Sequence, residues 1–197
     1  MIAIIDSGGA NIASVQFALE RLGANSVLTS DIQTITSADK VLLPGVGAAP
    51  VAMQNLRAAG LIDCIRGLSQ PVMGICLGMQ LLFNHSAEGD ENLLQIFPAD
   101  CVEFRPDQQL SVPHMGWNQL NFAKSHPLLA GIDDGAHVYF VHSYYAEVGN
   151  ETVASCNYGE DFTAIVAHEN FMGCQFHPER SGPVGSQILQ NFLEMPR

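Results

Sequence analysis

Basic residues are scarce in this chain. Eight Lys and Arg stand against twenty Asp and Glu over 197 residues, a formal net charge of −12. Such a surface repels phosphate backbones and anionic bilayers, so neither nucleic-acid binding nor membrane association is expected. Long apolar runs are missing too. No window approaches the ~20 residues needed to cross a bilayer, and the N-terminal run of residues 2–5 lacks the basic start and the length of a signal peptide. The five cysteines, at positions 64, 76, 101, 156 and 174, form no CxxC pair, which weakens zinc and redox-motif readings. An odd number of thiols fits a reducing compartment, and a cytoplasmic location is expected. There is no GxxxxGK[ST], and no GxGxxG after the first apolar run, so a phosphate-loop nucleotide site is not expected.

What is present is a globular pattern, with 47% hydrophobic residues spread along the whole length. Residues 2–6 read as a buried strand. A helix follows, with Ile12, Val15, Leu19 and Leu22 on one face, Asn11 as N-cap and Gly23 as the stop. Strands are expected at 26–29, 40–43 and 71–75, and helices near 51–59 and over 77–83. This alternation predicts a parallel sheet covered on both faces. After about residue 93 the pattern changes to short runs at 94–97, 102–104, 137–142, 152–156, 163–168 and 172–176, punctuated by Gly, Pro, Asn and Asp. These read as antiparallel strands and hairpins. A last helix carries Val184, Ile188 and Phe192 on one face, with Ser181 as N-cap. The expected architecture is one α/β domain over 1–197, with a mostly parallel central sheet and added antiparallel strands in its C-terminal half.

The segment Pro71-Val-Met-Gly-Ile-Cys-Leu-Gly-Met-Gln80 puts a Gly-x-Cys-x-Gly pattern where a strand hands over to a helix. That is the cysteine form of a nucleophile elbow, with the positive end of the following helix aimed at the sulfur. Taken alone, the pattern favours reading Cys76 as a small buried core residue, but it does not stand alone. A base is available at Phe176-His177-Pro178-Glu179: His177 closes an apolar strand, and Glu179 can orient its imidazole. The alternative is a loop histidine beside a solvated glutamate. The remaining histidines carry no assigned chemistry at this level, His142 being the least settled. Donors for an oxyanion are offered by Pro44-Gly-Val-Gly47, through Gly45, Val46 and Gly47, and by the N–H of Leu77.

With these pieces placed, the chain resembles the class I glutamine amidotransferases, and within them the glutaminase subunits of imidazole glycerol phosphate synthase. The resemblance runs over essentially the whole chain. It is carried by PGVG at 44–47, GICLGMQ at 74–80, PHMGWN at 113–118, YFVHSY at 139–144 and QFHPERSG at 175–182. It implies a triad of Cys76, His177 and Glu179, and glutamine binding by Gly45, Gly47, Gln80, Glu88, His142, Ser143 and Tyr144. It also implies a separate cyclase subunit, a (β/α)8 barrel that receives the ammonia in a heterodimer, met through Asn11, Trp117, Tyr139 and Arg180. No cofactor and no metal are implied. The loop Asp6-Ser-Gly-Gly-Ala-Asn11 departs from the family pattern, as does Arg180, where many relatives carry lysine. The competing readings are another class I glutaminase, a DJ-1-like or peptidase-like cysteine hydrolase, and a catalytically silent regulatory subunit.

Overall fold

Strand β1 (Ile2–Ile5) is apolar at every position because it is covered on both sides. Ile2 and Ile4 enter one core, and Ala3 and Ile5 the other. The computed structural model describes residues 1–8, 12–105 and 110–196. Helix α1 (Ile12–Arg21) turns Val15, Ala18 and Leu19 inward. Then come β2 (Ser26–Thr29), α2 (Ile32–Ser37), β3 (Lys40–Gly45), α3 (Ala49–Ala58), α4 (Leu61–Arg66), β4 (Val72–Cys76) and α5 (Leu77–Gln80). The second half is strand-rich: β5 (His85–Ser86), β6 (Glu91–Asn92), β7 (Asp100–Glu103), β8 (His114–Gln119), β9 (Asn121–Phe122), β10 (His137–His142), β11 (Tyr144–Ala146), β12 (Thr152–Tyr158), β13 (Glu160–His168) and β14 (Phe171–Cys174). Helix α6 (Gly182–Glu194) closes the described chain.

The central sheet has the order β2-β1-β3-β4-β14-β13-β12-β9. Pairing is parallel from β2 through to β14 and antiparallel from β14 to β9. Helices α1 and α6 pack on one face, and α3 and α4 on the other. This is the expected α/β architecture. Two small sheets, β10-β8 and β11-β7-β5-β6, stand beside the carboxyl ends of the parallel strands.

Several expectations change in detail. The helix expected over 77–83 stops at Gln80. Beyond it Leu82 and Phe83 bond back three residues, to Met79 and Gln80, so the turn tightens and ends. A helix of four residues carries little macrodipole, and the argument for thiolate from its positive end loses most of its force. Residues 94–97 form no strand. Leu94 and Phe97 donate to the carbonyls of Leu81 and Leu82, and their side chains fill the core as an apolar loop. Helices α2 and α4 were not anticipated, because six residues hold too few apolar repeats to show a helical period. Strand β14 ends at Cys174, before Phe176. Ser181 does precede α6, but its side chain makes no cap hydrogen bond. The N-cap expectation for Asn11 lies outside the described residues.

Where β4 hands over to α5, the backbone passes close beneath β3. A Cβ built on Gly78 would lie 1.7 Å from the Leu43 carbonyl oxygen, and one on Gly74 would lie 2.5 Å from the Gly78 oxygen. The flanking glycines are therefore demanded by backbone contact. Gly78→Ala is expected to cost about 3 kcal/mol or more, the upper end of overpacking penalties. A lowered urea midpoint with an unchanged m-value checks this.

Candidate active site

Cys76 occupies the sharp turn with φ 54° and ψ −115°, a conformation L-residues rarely adopt. The strain sets its sulfur at the floor of a cleft of about 600 Å³. Val46 and Gly47 form one wall, at the exit of β3, where Gly47 takes a left-handed φ of 94°. His142, Ser143 and Tyr144 form the opposite wall, and Glu88 and Arg180 also line it. The volume suits a small polar metabolite. The other cysteines differ in kind. Burial pushes the thiols of Cys64, Cys101 and Cys174 up, and that of Cys156 to about 12, and none of them borders this cleft.

His177 follows β14, is buried, and lines the cleft together with Cys76. Its Nδ1 lies 2.9 Å from Glu179 Oε1, and Glu179 is itself almost wholly enclosed behind the imidazole. Burial pulls the imidazole down, but its interactions with Cys76 and Glu179 outweigh that and raise it to about 10. The turn carrying His177 is clamped to β10. His177 N–H donates to the Tyr139 carbonyl at 3.0 Å, Tyr139 N–H donates to Ser181 Oγ at 2.9 Å, and that hydroxyl donates to the His177 carbonyl at 2.7 Å. The Ser181 hydroxyl thus locks the His177 turn in place, a role that capping arguments did not reveal.

Gln80 is buried one turn beyond Cys76 and donates to the Tyr144 carbonyl at 2.7 Å and to Gln175 Oε1 at 2.9 Å. Glu88 Oε2 accepts from Ala49 N–H at 2.7 Å, tying the cleft wall to the start of α3. Its carboxylate lines the cleft, where it can meet a cationic group. His142 Nδ1 lies 2.8 Å from the Tyr144 carbonyl and Nε2 lies 3.0 Å from His114 Nδ1. His114 stacks between Phe140 and Tyr158. Desolvation pushes His114 down to about 4 and His142 to about 3, so both imidazoles are neutral at physiological pH.

The cleft unites Val46, Gly47, Cys76, Leu77, Gln80, Glu88, His142, Ser143, Tyr144, His177 and Arg180, all expected from the sequence. Gly45 lies just behind it, paired with Cys76 in the sheet. Tyr139 and Trp117 do not line it. They face each other across β10 and β8, and Trp117 is 57% exposed, which excludes core packing. Asn11 falls outside the described residues. Sequence reasoning missed Met115, 62% exposed on the same strand. Alternation along 114–119, with His114 buried and Met115 and Trp117 outward, was the available signal. It also missed Gln175, a polar residue with no local pattern to mark it.

The class I glutamine amidotransferase family model matches residues 3–195. The chain belongs to this family. Among solved structures, a glutamine amidotransferase superposes with a TM-score of 0.75 at 18% identity, covering 98% of this chain and 97% of the other. PurLQS from Thermotoga maritima gives 0.68 at 19%, covering 98% and 96%. At such identities the likeness is one of fold. Closer in sequence are proteins named imidazole glycerol phosphate synthase subunit HisH. The one from Pasteurella multocida is 51% identical, with 98% of this chain and 97% of the relative aligned. Those from Xanthomonas axonopodis and Shewanella oneidensis are 52% and 49% identical, over 98% of this chain and 97% and 96% of theirs.

The histidines of this amidotransferase pull stability in opposite directions with pH. His177, raised in the folded state, contributes fully below its ordinary value of 6.5 and loses that contribution as pH rises through about 10. His114 and His142, lowered, contribute above 6.5, and that contribution is lost as pH falls toward 4 and 3. His114→Phe keeps the stacked ring and removes one buried proton acceptor. Urea midpoints between pH 5 and 6.5 should therefore fall less steeply with acid in the variant than in the wild type.

Proposed function

We propose that this chain hydrolyses L-glutamine to glutamate and ammonia as the glutaminase subunit of imidazole glycerol phosphate synthase, in histidine biosynthesis. The observation that carries the reading is a cysteine in a strained elbow, sharing one cleft with a histidine that is paired to a glutamate, in a chain about half identical over nearly its full length to HisH subunits. The whole of 1–197 acts as one amidotransferase domain, and a cytoplasmic setting suits this pathway.

The chemistry follows from the geometry. Cys76 Sγ attacks the side-chain amide carbon of glutamine, forming the S–C bond and pushing the carbonyl electrons onto oxygen. The oxyanion is received by backbone N–H groups of the 45–47 turn and of Leu77. His177, held as imidazolium by Glu179, protonates the leaving nitrogen, and ammonia departs with collapse to the thioester. His177, now neutral, takes a proton from water, whose oxygen attacks the thioester and frees glutamate. Gln80, Ser143 and Tyr144 hold the substrate, and Glu88 with His142 shapes the end of the cleft that receives its α-amino group.

Ammonia made here serves a partner. The relatives are named as subunits, and the partner is the cyclase, a (β/α)8 barrel that joins this chain in a heterodimer and makes imidazole glycerol phosphate and AICAR. Met115 and Trp117 present an apolar surface on β8, and Arg180 stands at the rim of the cleft. Tryptophan on an exposed strand is a common binding anchor. In the reconstituted complex, Cys76→Ala should abolish glutamine-dependent synthesis and leave ammonia-dependent synthesis intact. Loss of both, or of neither, removes the nucleophile assignment. Trp117→Ala should weaken the complex by about 2 kcal/mol, roughly thirtyfold in Kd, which titration calorimetry measures directly.

A further inference from the structure

One backbone acceptor sets the direction of a buried chain of polar groups in the cleft wall. The Tyr144 carbonyl can only accept, and it takes hydrogens from Gln80 Nε2 at 2.7 Å and His142 Nδ1 at 2.8 Å. Gln80 therefore turns its NH2 group this way, and the second hydrogen of that group goes to Gln175 Oε1 at 2.9 Å. With its oxygen so engaged, the Gln175 amide aims its own NH2 at Cys76 Sγ, 3.9 Å away. In the other direction His142 Nε2 becomes the acceptor for His114 Nδ1–H at 3.0 Å, and His114 Nε2 the acceptor for Asn118 Nδ2 at 3.3 Å. Each orientation follows from the one before it.

Gln175 is fully buried between Cys174 and Phe176, both also enclosed. A buried primary amide is unfavourable unless its polar atoms find partners, and an apolar residue would fill the same space. The sulfur is the partner that its outward hydrogen can serve, and a thiolate accepts such a hydrogen more strongly than a thiol. We propose that Gln175 is a further catalytic residue: its side-chain N–H donates to Cys76 Sγ, favouring the anionic sulfur and holding it in line for attack. The assignment rests on Cys76 being the glutaminase nucleophile. No proton moves along the amide. During attack the sulfur's electron pair becomes the S–C bond and the contact weakens. When water has cleaved the thioester, the charge returns to sulfur and the contact is restored.

The test compares two variants of similar volume. Gln175→Glu still accepts from Gln80 but presents a carboxylate oxygen to the sulfur, and Gln175→Met presents neither donor nor charge. The first measurement is glutamine hydrolysis by the wild-type complex with the cyclase. Its absence would remove the glutaminase reading itself, and with it this proposal. Next, the rate of Cys76 alkylation by iodoacetamide is followed against pH in each chain, with Cys76→Ala as the background. Both variants should react about tenfold or more slowly near neutral pH, with profiles displaced upward, the glutamate variant more so. Glutamine-dependent turnover should fall in parallel while ammonia-dependent synthesis stays at the wild-type level. Unmoved alkylation profiles in the two variants, even with lost turnover, would overturn the proposal. So would a shift seen only with glutamate, which is a charge effect, or failure of both variants to fold, which is a structural role.

Discussion

Strand β4 is bonded in parallel to β3 on one side and to β14 on the other, and the site depends on that arrangement. Its register pairs Gly45 with Cys76 and Ile75 with Cys174. Three chain segments far apart in sequence therefore leave the sheet at the same level and from the same edge. One carries the 45–47 turn, one Cys76 and one His177. The carboxyl ends of adjacent parallel strands are the usual place for ligands in open α/β sheets, and here each strand delivers one part of the cleft. The small β10-β8 and β11-β7-β5-β6 sheets add the far wall of the cleft.

Burial then treats chemically identical groups differently. His177 is enclosed beside two acidic partners and is held in its charged form, whereas His114 and His142 are enclosed among aromatic rings and each other and are held neutral. Desolvation likewise keeps the thiols of Cys101, Cys156 and Cys174 protonated, and none of these three borders the cleft. A charged imidazole in the cleft and a neutral, directional cleft wall come from one residue type in two environments. Glu88 extends the coupling, since the carboxylate in the cleft also receives the first N–H of α3, directly after the 45–47 turn.

Much of this was legible residue by residue. The elbow was readable because its demands are local, with small residues on each side of a turn and an apolar strand before it. The HPE segment was readable because the orienting carboxylate lies two positions from the imidazole. The strand at 137–142 was readable from composition and falls where expected. Gln175, Ser181 and His114 were not, because a polar residue in an apolar strand or beside a helix start carries no sign of its partner. Trp117 stayed open between core and surface until β8 was seen to pair only with β10 among the described strands, leaving its outer face uncovered. The apolar run at 94–97 misled because core-filling loops and strands share a composition.

For Cys76, then, sequence alone singled out the residue, the turn that presents it and the kinds of partner expected around it. Those follow from φ/ψ preferences and side-chain size, which act over a few neighbours. Only the tertiary structure decided that His177 meets Cys76 across a sheet, that Gln80 and Gln175 face each other, and that one imidazole is charged while two are neutral. Hydrogen bonding across strands and desolvation depend on which segments pack together. That is a property of the assembled sheet, in which residues 76 and 177 become neighbours because β14 lies in parallel beside β4.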